Sequence, residues 1–380
     1  MSNFEHRERV LKALNHEEPD RVPIDLGSSA ATTITSIAYE KLKTHLGFEH
    51  QTTAMMERSG TVILDEAICQ MFDIDTRPLL LGKYRSAKLR RLDPYTSIDE
   101  WGVSWKMTSH GTAIDVNGPF YNKDPKPELL ETFDWPDPNN SGLYYDLKER
   151  ARHLRTSTDC AIVLNLPVGV VHQSQFLRGF DTFLIDLYTA TEFSCYMMDK
   201  IADIWIKIAE IAIEEAEGNF DVVIWYDDLG LQQALLVSPQ MYRDLIKPRH
   251  KKMVAALKSL CQAKILLHTC GSVYDILDDL IEIGIDALNP VQVSAKNMEP
   301  EQLKTRFGDR LTFWGAIDTQ EVLPFRKPQD VREEVRRIID AMGDNGGYVI
   351  SSVQNIQADV PPENIVAMLQ EAKAYGTYKK

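Results

Sequence analysis

Cysteine is scarce in this chain and poorly spaced for cross-links. Cys69, Cys160, Cys195, Cys261 and Cys270 are odd in number, widely separated and never in a CxxC arrangement. That spacing excludes a disulfide framework or a closed structural zinc site built from cysteine pairs, and it fits a reducing cytoplasm. Long apolar runs are missing too: no stretch reaches the roughly 18 residues that a membrane span needs. The opening MSNFEHRERVLKALNHEEPD is charged where a signal segment would be apolar, so the expectation is a soluble, unexported, cytoplasmic protein. Positive charge is the third shortage. Lysine and arginine total 42 against 56 acidic residues, a formal net charge of −14, which repels a phosphate backbone or an anionic lipid surface. Neither nucleic acid nor membrane is an expected partner. No GxGxxG follows a strand-like run, and GxxxxGK[ST], GxSxG and HExxH are absent, so nucleotide-binding and common hydrolase readings have no motif behind them.

What the chain has in quantity is alternation. Short apolar runs alternate with long helical patterns over 380 residues, a length that suits one barrel-type domain with insertions. The runs with strand character are 21–27 (RVPIDLG), 74–82, 160–169, 221–230, 263–271, 285–291, 311–318 and 347–353, the eight that a (β/α)8 TIM barrel requires. The expected fold class is therefore α/β, a single barrel domain over 1–380. One region interrupts the pattern. From about 83 to 135, turn residues and period-two stretches such as WGVSWKM read as a β-rich insertion at the barrel's rim, where loops commonly cover an active site.

In such barrels chemistry gathers at the carboxyl ends of the strands, which makes the polar residues ending each run candidates. ILLHTCGS (265–272) sets His268 and Cys270 two apart, on the same face of an extended chain. An imidazole and a thiol so placed begin a zinc site that needs three or four ligands; the alternative is a hydrogen-bonded histidine beside a small buried thiol. Asp227 and Asp228 follow VVIWY, and since neighbours in a strand face opposite ways, one carboxylate reaches the mouth. There it can bind metal, act as a base or hold a cation, or else bond loop amides. Asn165, Tyr226, Trp314, Gln354 and Asn355 are the candidates for substrate contact, the two aromatics having packing as their alternative role. His172, in VVHQSQ, and Trp225 read as packing residues, and His250, in IKPRH, as a surface residue. Ser272 with Asp275 reads as a capping box ahead of a helix that Gly284 stops, and DVPPEN (359–364) opens the last helix.

NPVQVSAKNMEPEQLKTRFGDRLTFWGAIDTQEVLP (289–324), with HTCG before it and GGYVISSVQNIQADVPPENIVAM (346–368) after it, resembles the uroporphyrinogen decarboxylase superfamily. WYDDLGLQQALLVSPQMYRDLIKP (225–248) and RVPIDLG agree, so the resemblance covers nearly the whole chain. It implies a (β/α)8 barrel and one of two chemistries. True decarboxylases of the superfamily hold tetrapyrrole propionates with arginines of an RQAGRY motif; the corresponding segment here, DLGSSAATT (25–33), has none. The other branch comprises corrinoid-dependent methyltransferases, in which an H-x-C-x(n)-C motif binds zinc. His268 and Cys270 match the first two ligands, while the third falls on Gln354, a neutral amide and a poor zinc ligand. The resemblance therefore implies a metal-assisted methyltransferase acting on a small methyl ether, methylamine or thiol. Zinc is its implied cofactor, with Asp227 or Asp228 completing the site. Cobalamin would be supplied by a separate corrinoid protein, since no DxHxxG signature is present, and a homodimer is implied. The alternatives are a metal-independent decarboxylase or lyase and a non-catalytic binder of small ligands.

Overall fold

Runs rich in Val, Ile and Leu, too short for helices and closed by turn residues, pair as parallel strands of one curled sheet. The computed structural model describes residues 5–48, 53–56, 59–86, 88–108 and 112–378. It orders β1 (Thr76–Leu80), β2 (Ala161–Val168), β3 (Val222–Tyr226), β4 (Lys264–His268), β5 (Ala287–Asn289), β6 (Thr312–Ile317) and β7 (Tyr348–Ser352) side by side in chain sequence. Every neighbouring pair is parallel, the α/β barrel arrangement in which helices connect consecutive strands. The expected eighth strand, 21–27, is not a regular strand. Ile24 makes a parallel bridge to Ile350, the Asp25 amide donates to the Ile350 carbonyl, and the Asp75 amide donates to that of Ile24. The segment thus spans the gap between β7 and β1 and closes the ring through isolated contacts. Two ladder donors are missing: Pro23 has no N–H, and the Ile24 amide donates to the Asp75 side chain at 2.6 Å.

Strand parity splits the buried residues between two cores. Ala161, Val163, Val222, Ile224, Leu266, Ala287, Trp314 and Val349 fill the barrel together with Val10 and Leu14 of the helix His6–Leu14. The intervening Ile162, Leu164, Val223, Trp225, Ile265 and Leu267 belong to the outer core shared with the helices. Fully burying one such aliphatic side chain is worth about 1.5–3 kcal/mol, and a slip of one residue would turn a whole strand inside out. The same parity decides what lies above the apolar layers. Two residues beyond Val163, Ile224, Leu266 and Ala287 stand Asn165, Tyr226, His268 and Asn289.

The region expected to be β-rich contains a four-stranded antiparallel sheet of Arg90–Arg91, Thr96–Ile98, Ser104–Met107 and Ala113–Asn117. Its buried Trp105 donates Nε1 to Asp99 at 2.7 Å and meets Phe176 edge-on, with ring centroids 4.8 Å apart. Phe176 lies on the helix Val170–Arg178 that directly follows β2, so the small sheet leans on an element of the barrel's mouth. The helix expected from a capping box at Ser272 starts later, with a 3₁₀ turn at Tyr274–Ile276 leading into Leu277–Ile283. Ser272 Oγ instead donates to the Lys296 carbonyl at 2.7 Å, so it is not free to cap. Gly284, with φ of +102°, ends that helix, and the last helix runs Pro362–Tyr375. All five cysteines are free. Among the described residues no helix is long and apolar enough to cross a membrane.

Candidate metal centre at the barrel mouth

Tyr226, His268 and Asn289 are direct register neighbours on β3, β4 and β5, and their side chains meet where the apolar layers end. Asn289 Nδ2 donates to the Trp314 carbonyl at 3.1 Å, which turns its Oδ1 toward His268 Nδ1 at 2.6 Å. An amide oxygen only accepts, so Nδ1 carries the imidazole proton and Nε2 is left with its lone pair. That Nε2 lies 3.3 Å from Cys270 Sγ and 3.9 Å from Asp228 Oδ1, and the ligand atoms of the three residues all fall within 4.8 Å of one another. The turn that makes this possible needs glycine. Gly271 has φ of +87° and a Cβ there would stand 2.3 Å from the backbone of Gly230. This close approach of the loops after β3 and β4 lets the Cys270 amide donate to Asp228 Oδ1 at 2.8 Å.

Asp227 goes the other way. It is fully buried and accepts from the amides of Val171 and His172 at 3.1 and 2.7 Å, with His250 Nε2 3.0 Å from its second oxygen. It is thus occupied in fixing the start of the helix Val170–Arg178 and does not join the cluster. His250, expected at the surface, is wholly buried between Asp227, Trp225 and Tyr242. A basic-looking helix face concealed it, because the signal of a buried carboxylate partner lies 23 residues away. His172, read from the sequence as a packing residue, does stack on Phe176 but also borders the cluster. Its Nε2 stands 3.6 Å from Asp228 Oδ2, its ring stacks on Phe176 at 5.4 Å, and its Nδ1 is buried with no hydrogen-bond partner. Its place just beyond the carboxyl end of β2 was the available signal.

The remaining candidates divide. Tyr226 donates to Asn165 Oδ1 at 2.5 Å, receives the Ala30 amide at 3.2 Å and tilts against His268 at 5.6 Å. Gln354 stands beside the cluster, as its alignment position implies, but points its amide nitrogen at Cys270 Sγ from 3.4 Å while its oxygen accepts from the Asn355 amide. Asn355 Oδ1 accepts from the Thr33 amide at 3.1 Å. Trp314 is fully buried within the barrel and donates Nε1 to Asp25 Oδ2 at 2.8 Å, so it packs beneath the mouth and has no surface to offer a substrate. Asp318, another residue at a strand end, is used by the amides of Gln320, Glu321 and Val322.

Burial holds the His268 imidazole below its ordinary pKa against the pull of Asp228 and Asn289. Burial, and then the Asp228 carboxylate, pushes the Cys270 thiol well above its own. Burial alone would raise Asp228, but the imidazoles of His172 and His268 and the Cys270 amide bring it below the usual value. Without metal the centre is therefore a neutral imidazole, a protonated thiol and a carboxylate. That donor set fits a borderline-soft divalent ion such as zinc, which deprotonates a coordinated thiol. Zinc bonds of about 2.0–2.3 Å in a tetrahedron imply ligand-to-ligand edges of roughly 3.4–3.6 Å, and the observed 3.3 and 3.9 Å bracket them. A zinc ion held by these three groups alone would have three protein ligands, the number usual in catalytic rather than structural sites. The other such group among the described residues, His6 with Asp159 and Cys160, is different: both His6 nitrogens already face carboxylates, Asp159 at 2.8 Å and Asp73 at 2.9 Å.

A family model described as uroporphyrinogen decarboxylase (URO-D) matches residues 117–375. A uroporphyrinogen decarboxylase of Legionella pneumophila is 24% identical over 194 residues, 51% of each chain, so the chain spans about half the length of that relative. The methylcobamide:CoM methyltransferase MtaA of Methanosarcina barkeri is 22% identical over an alignment of 386 residues covering 99% of both. The fold of a methyltransferase from Methanosarcina mazei superposes with a TM-score of 0.67 at 19% identity, over 98% of this chain and 99% of that one.

Proposed function

The chain belongs to the uroporphyrinogen decarboxylase (URO-D) family, and from that premise we propose that it is a methyltransferase of a corrinoid-dependent pathway. In this reading it moves a methyl group between a small substrate and a cobalamin carried by a partner protein. Full-length similarity to MtaA supports this branch. The observation that carries the reading is local: Asn289 fixes the His268 tautomer so that Nε2, Cys270 Sγ and an Asp228 oxygen converge. His268, Cys270 and Asp228 would hold zinc, with Asp228 taking the place that Gln354 cannot fill. Zinc bound there would supply a Lewis acid that lowers the pKa of a coordinated thiol or polarises the heteroatom of a methyl donor.

The chain's own residues do the rest. Asn289 keeps the His268 proton on Nδ1, leaving Nε2 basic. His172, 3.6 Å from the second Asp228 oxygen, orients that carboxylate. Asp227 works at one remove, by pinning the amide of His172. Gln354 beside Cys270, Asn355 bonded to Gln354, and the Tyr226–Asn165 pair next to His268 are the polar groups offered to the substrate. A corrinoid partner would dock on the strand-end face, since His268, Cys270 and Asp228 stand at the carboxyl ends of their strands.

A decarboxylase acting on a polycarboxylate draws less support. DLGSSAATT contributes buried Ser28, Ser29 and Thr32 hydroxyls where guanidinium groups would be needed. The test is metal analysis of the purified protein together with methyl transfer between methylcobalamin and small thiols. About one zinc per chain, with transfer abolished in His268→Ala/Cys270→Ala, is the expected outcome. Full activity of the double variant, or turnover of a carboxylated substrate under exhaustive chelation, would overturn it.

A further inference from the structure

The His172 ring stands beside the cluster without a short hydrogen bond of its own. Its Nδ1 is buried and has no hydrogen-bond partner among the described residues, and its Nε2 lies 3.6 Å from Asp228 Oδ2, beyond hydrogen-bonding reach. Asp227 fixes the backbone through the His172 amide at 2.7 Å, which leaves the side-chain torsions to packing. That packing is Phe176, one turn further along the helix Val170–Arg178, where side chains four apart lie one above the other. The two rings are stacked, 16° from parallel with centroids 5.4 Å apart. Phe176 is in turn met by Trp105 of the small antiparallel sheet, at 4.8 Å and 71°. Trp105 is itself buried and held: its Nε1 donates to Asp99 Oδ2 at 2.7 Å, while Asp99 Oδ1 accepts the amides of Trp101 and Val103, both at 2.9 Å. The chain leaving the sheet is clamped to the same helix. Arg178 donates to the Phe120 and Lys123 carbonyls at 2.6 Å, and the Phe120 amide donates to the Leu177 carbonyl at 3.0 Å. A Cβ on Gly118 would stand 2.3 Å from the Phe176 carbonyl oxygen.

We infer that Trp105 is a positioning residue for the metal centre: through Phe176 it sets the His172 ring beside Asp228, which makes the inserted sheet part of the site. This rests on the metal-assisted reading proposed above and adds to it an element from outside the barrel. An aromatic contact of this kind biases a ring orientation by roughly three- to tenfold. A carboxylate whose neighbour has turned away is held in its ligating pose correspondingly less. Were Trp105 no more than the core of its own sheet, its removal would leave His172 where it is.

The first test needs no metal. Carbethoxylation by diethyl pyrocarbonate is followed by peptide mass analysis at His172, with the exposed His153 as internal standard. In Trp105→Leu the rate at His172 relative to His153 is expected to rise roughly three- to tenfold; an unchanged ratio would overturn the inference. Should that variant not fold, Phe176→Leu, which breaks the same chain of contacts at its middle and keeps an aliphatic side chain in place, decides with the same two outcomes. The second test is chelator competition for cobalt. Trp105→Leu is expected to weaken affinity by roughly three- to tenfold, and to add less than about twofold once His172→Ala has removed the ring through which it acts. No loss at all, or an equal loss in both backgrounds, would overturn the inference. Because carbethoxylation is read on metal-free protein, a wild-type chain that takes up no cobalt would sink the methyl-transfer reading while the hold of Trp105 on His172 is still decided.

Discussion

The two ends of this barrel are built from opposite chemistry. At the amino end, Asp75 is fully buried and receives Arg9 at 2.5 Å and Arg21 at 2.7 Å. Asp20, Asp73 and Asp221 are each paired there as well, the last with Arg7 and Arg155. Every carboxylate in that network is answered by a cation, so it ties the helix His6–Leu14 and the 20–25 segment to the strand starts. At the carboxyl end, Asp228 faces the imidazoles of His172 and His268 and the amide of Cys270, and no lysine or arginine is paired with it among the described residues. Matched charges hold elements together, whereas a carboxylate grouped with an imidazole and a thiol around a gap is arranged for something that is not protein. The difference separates a stabilising end from a working one, as barrels of this architecture do.

That separation can be broken from either side. The largest effect belongs to the mouth: His268→Ala/Cys270→Ala should abolish stoichiometric metal binding and leave the thermal unfolding midpoint of the metal-free protein within a few degrees of wild type, checked by elemental analysis and calorimetry. At the other end, Asp75→Ala strands two buried guanidinium groups and should cost about 3–5 kcal/mol in denaturant unfolding, with the ligand set unchanged in any protein that still folds. Asn289→Ala sharpens the comparison, since it removes no ligand and only frees the His268 tautomer. Loss of an orienting partner of this kind typically costs about 10- to 100-fold in metal affinity, measurable by competition with a chelator. The smallest effect is on pH. The Asp73 hydrogen bond, with Asp75 and Asp159 adding to it, outweighs burial and raises the His6 pKa. Its contribution is then fully present below the ordinary histidine value near 6.5 and fades as pH rises through the folded value. The stability difference between wild type and His6→Gln should therefore shrink from pH 6 to pH 9, and a difference that grew over that range would exclude the pairing.

Much of this architecture is legible in the sequence because periodicity is a local signal. The seven regular strands coincide with runs of apolar residues, and the β-rich interruption shows in WGVSWKM. The eighth run, RVPIDLG, has the same composition but lacks ladder donors, since Pro23 has no N–H and the Ile24 amide is taken by the Asp75 side chain. His268 and Cys270 come together as their spacing implies. Asp227 and Asp228 could not be told apart beforehand, since the strand's parity is fixed by partners far away: Tyr226 faces inward because it pairs in register with His268, which sends Asp227 out to His250. His250, expected at the surface, is buried under Asp227 for the same reason, and the approach of His172 to Asp228 is likewise a contact that no window of neighbouring residues contains. The tautomer of His268 depends on Asn289, and that on the Trp314 carbonyl, so the readiness of the centre for metal is a property of three strands at once.

The central claim is that Asp228, rather than Gln354, completes the ligand set with His268 and Cys270. Zinc affinity measured by chelator competition on wild type, Asp228→Ala and Gln354→Ala tests it most directly. Asp228→Ala should lose at least about 100-fold, as removal of a ligand must exceed loss of an orienting partner, and Gln354→Ala less than about tenfold. The reverse order, or a wild-type chain with no measurable zinc affinity, would contradict it.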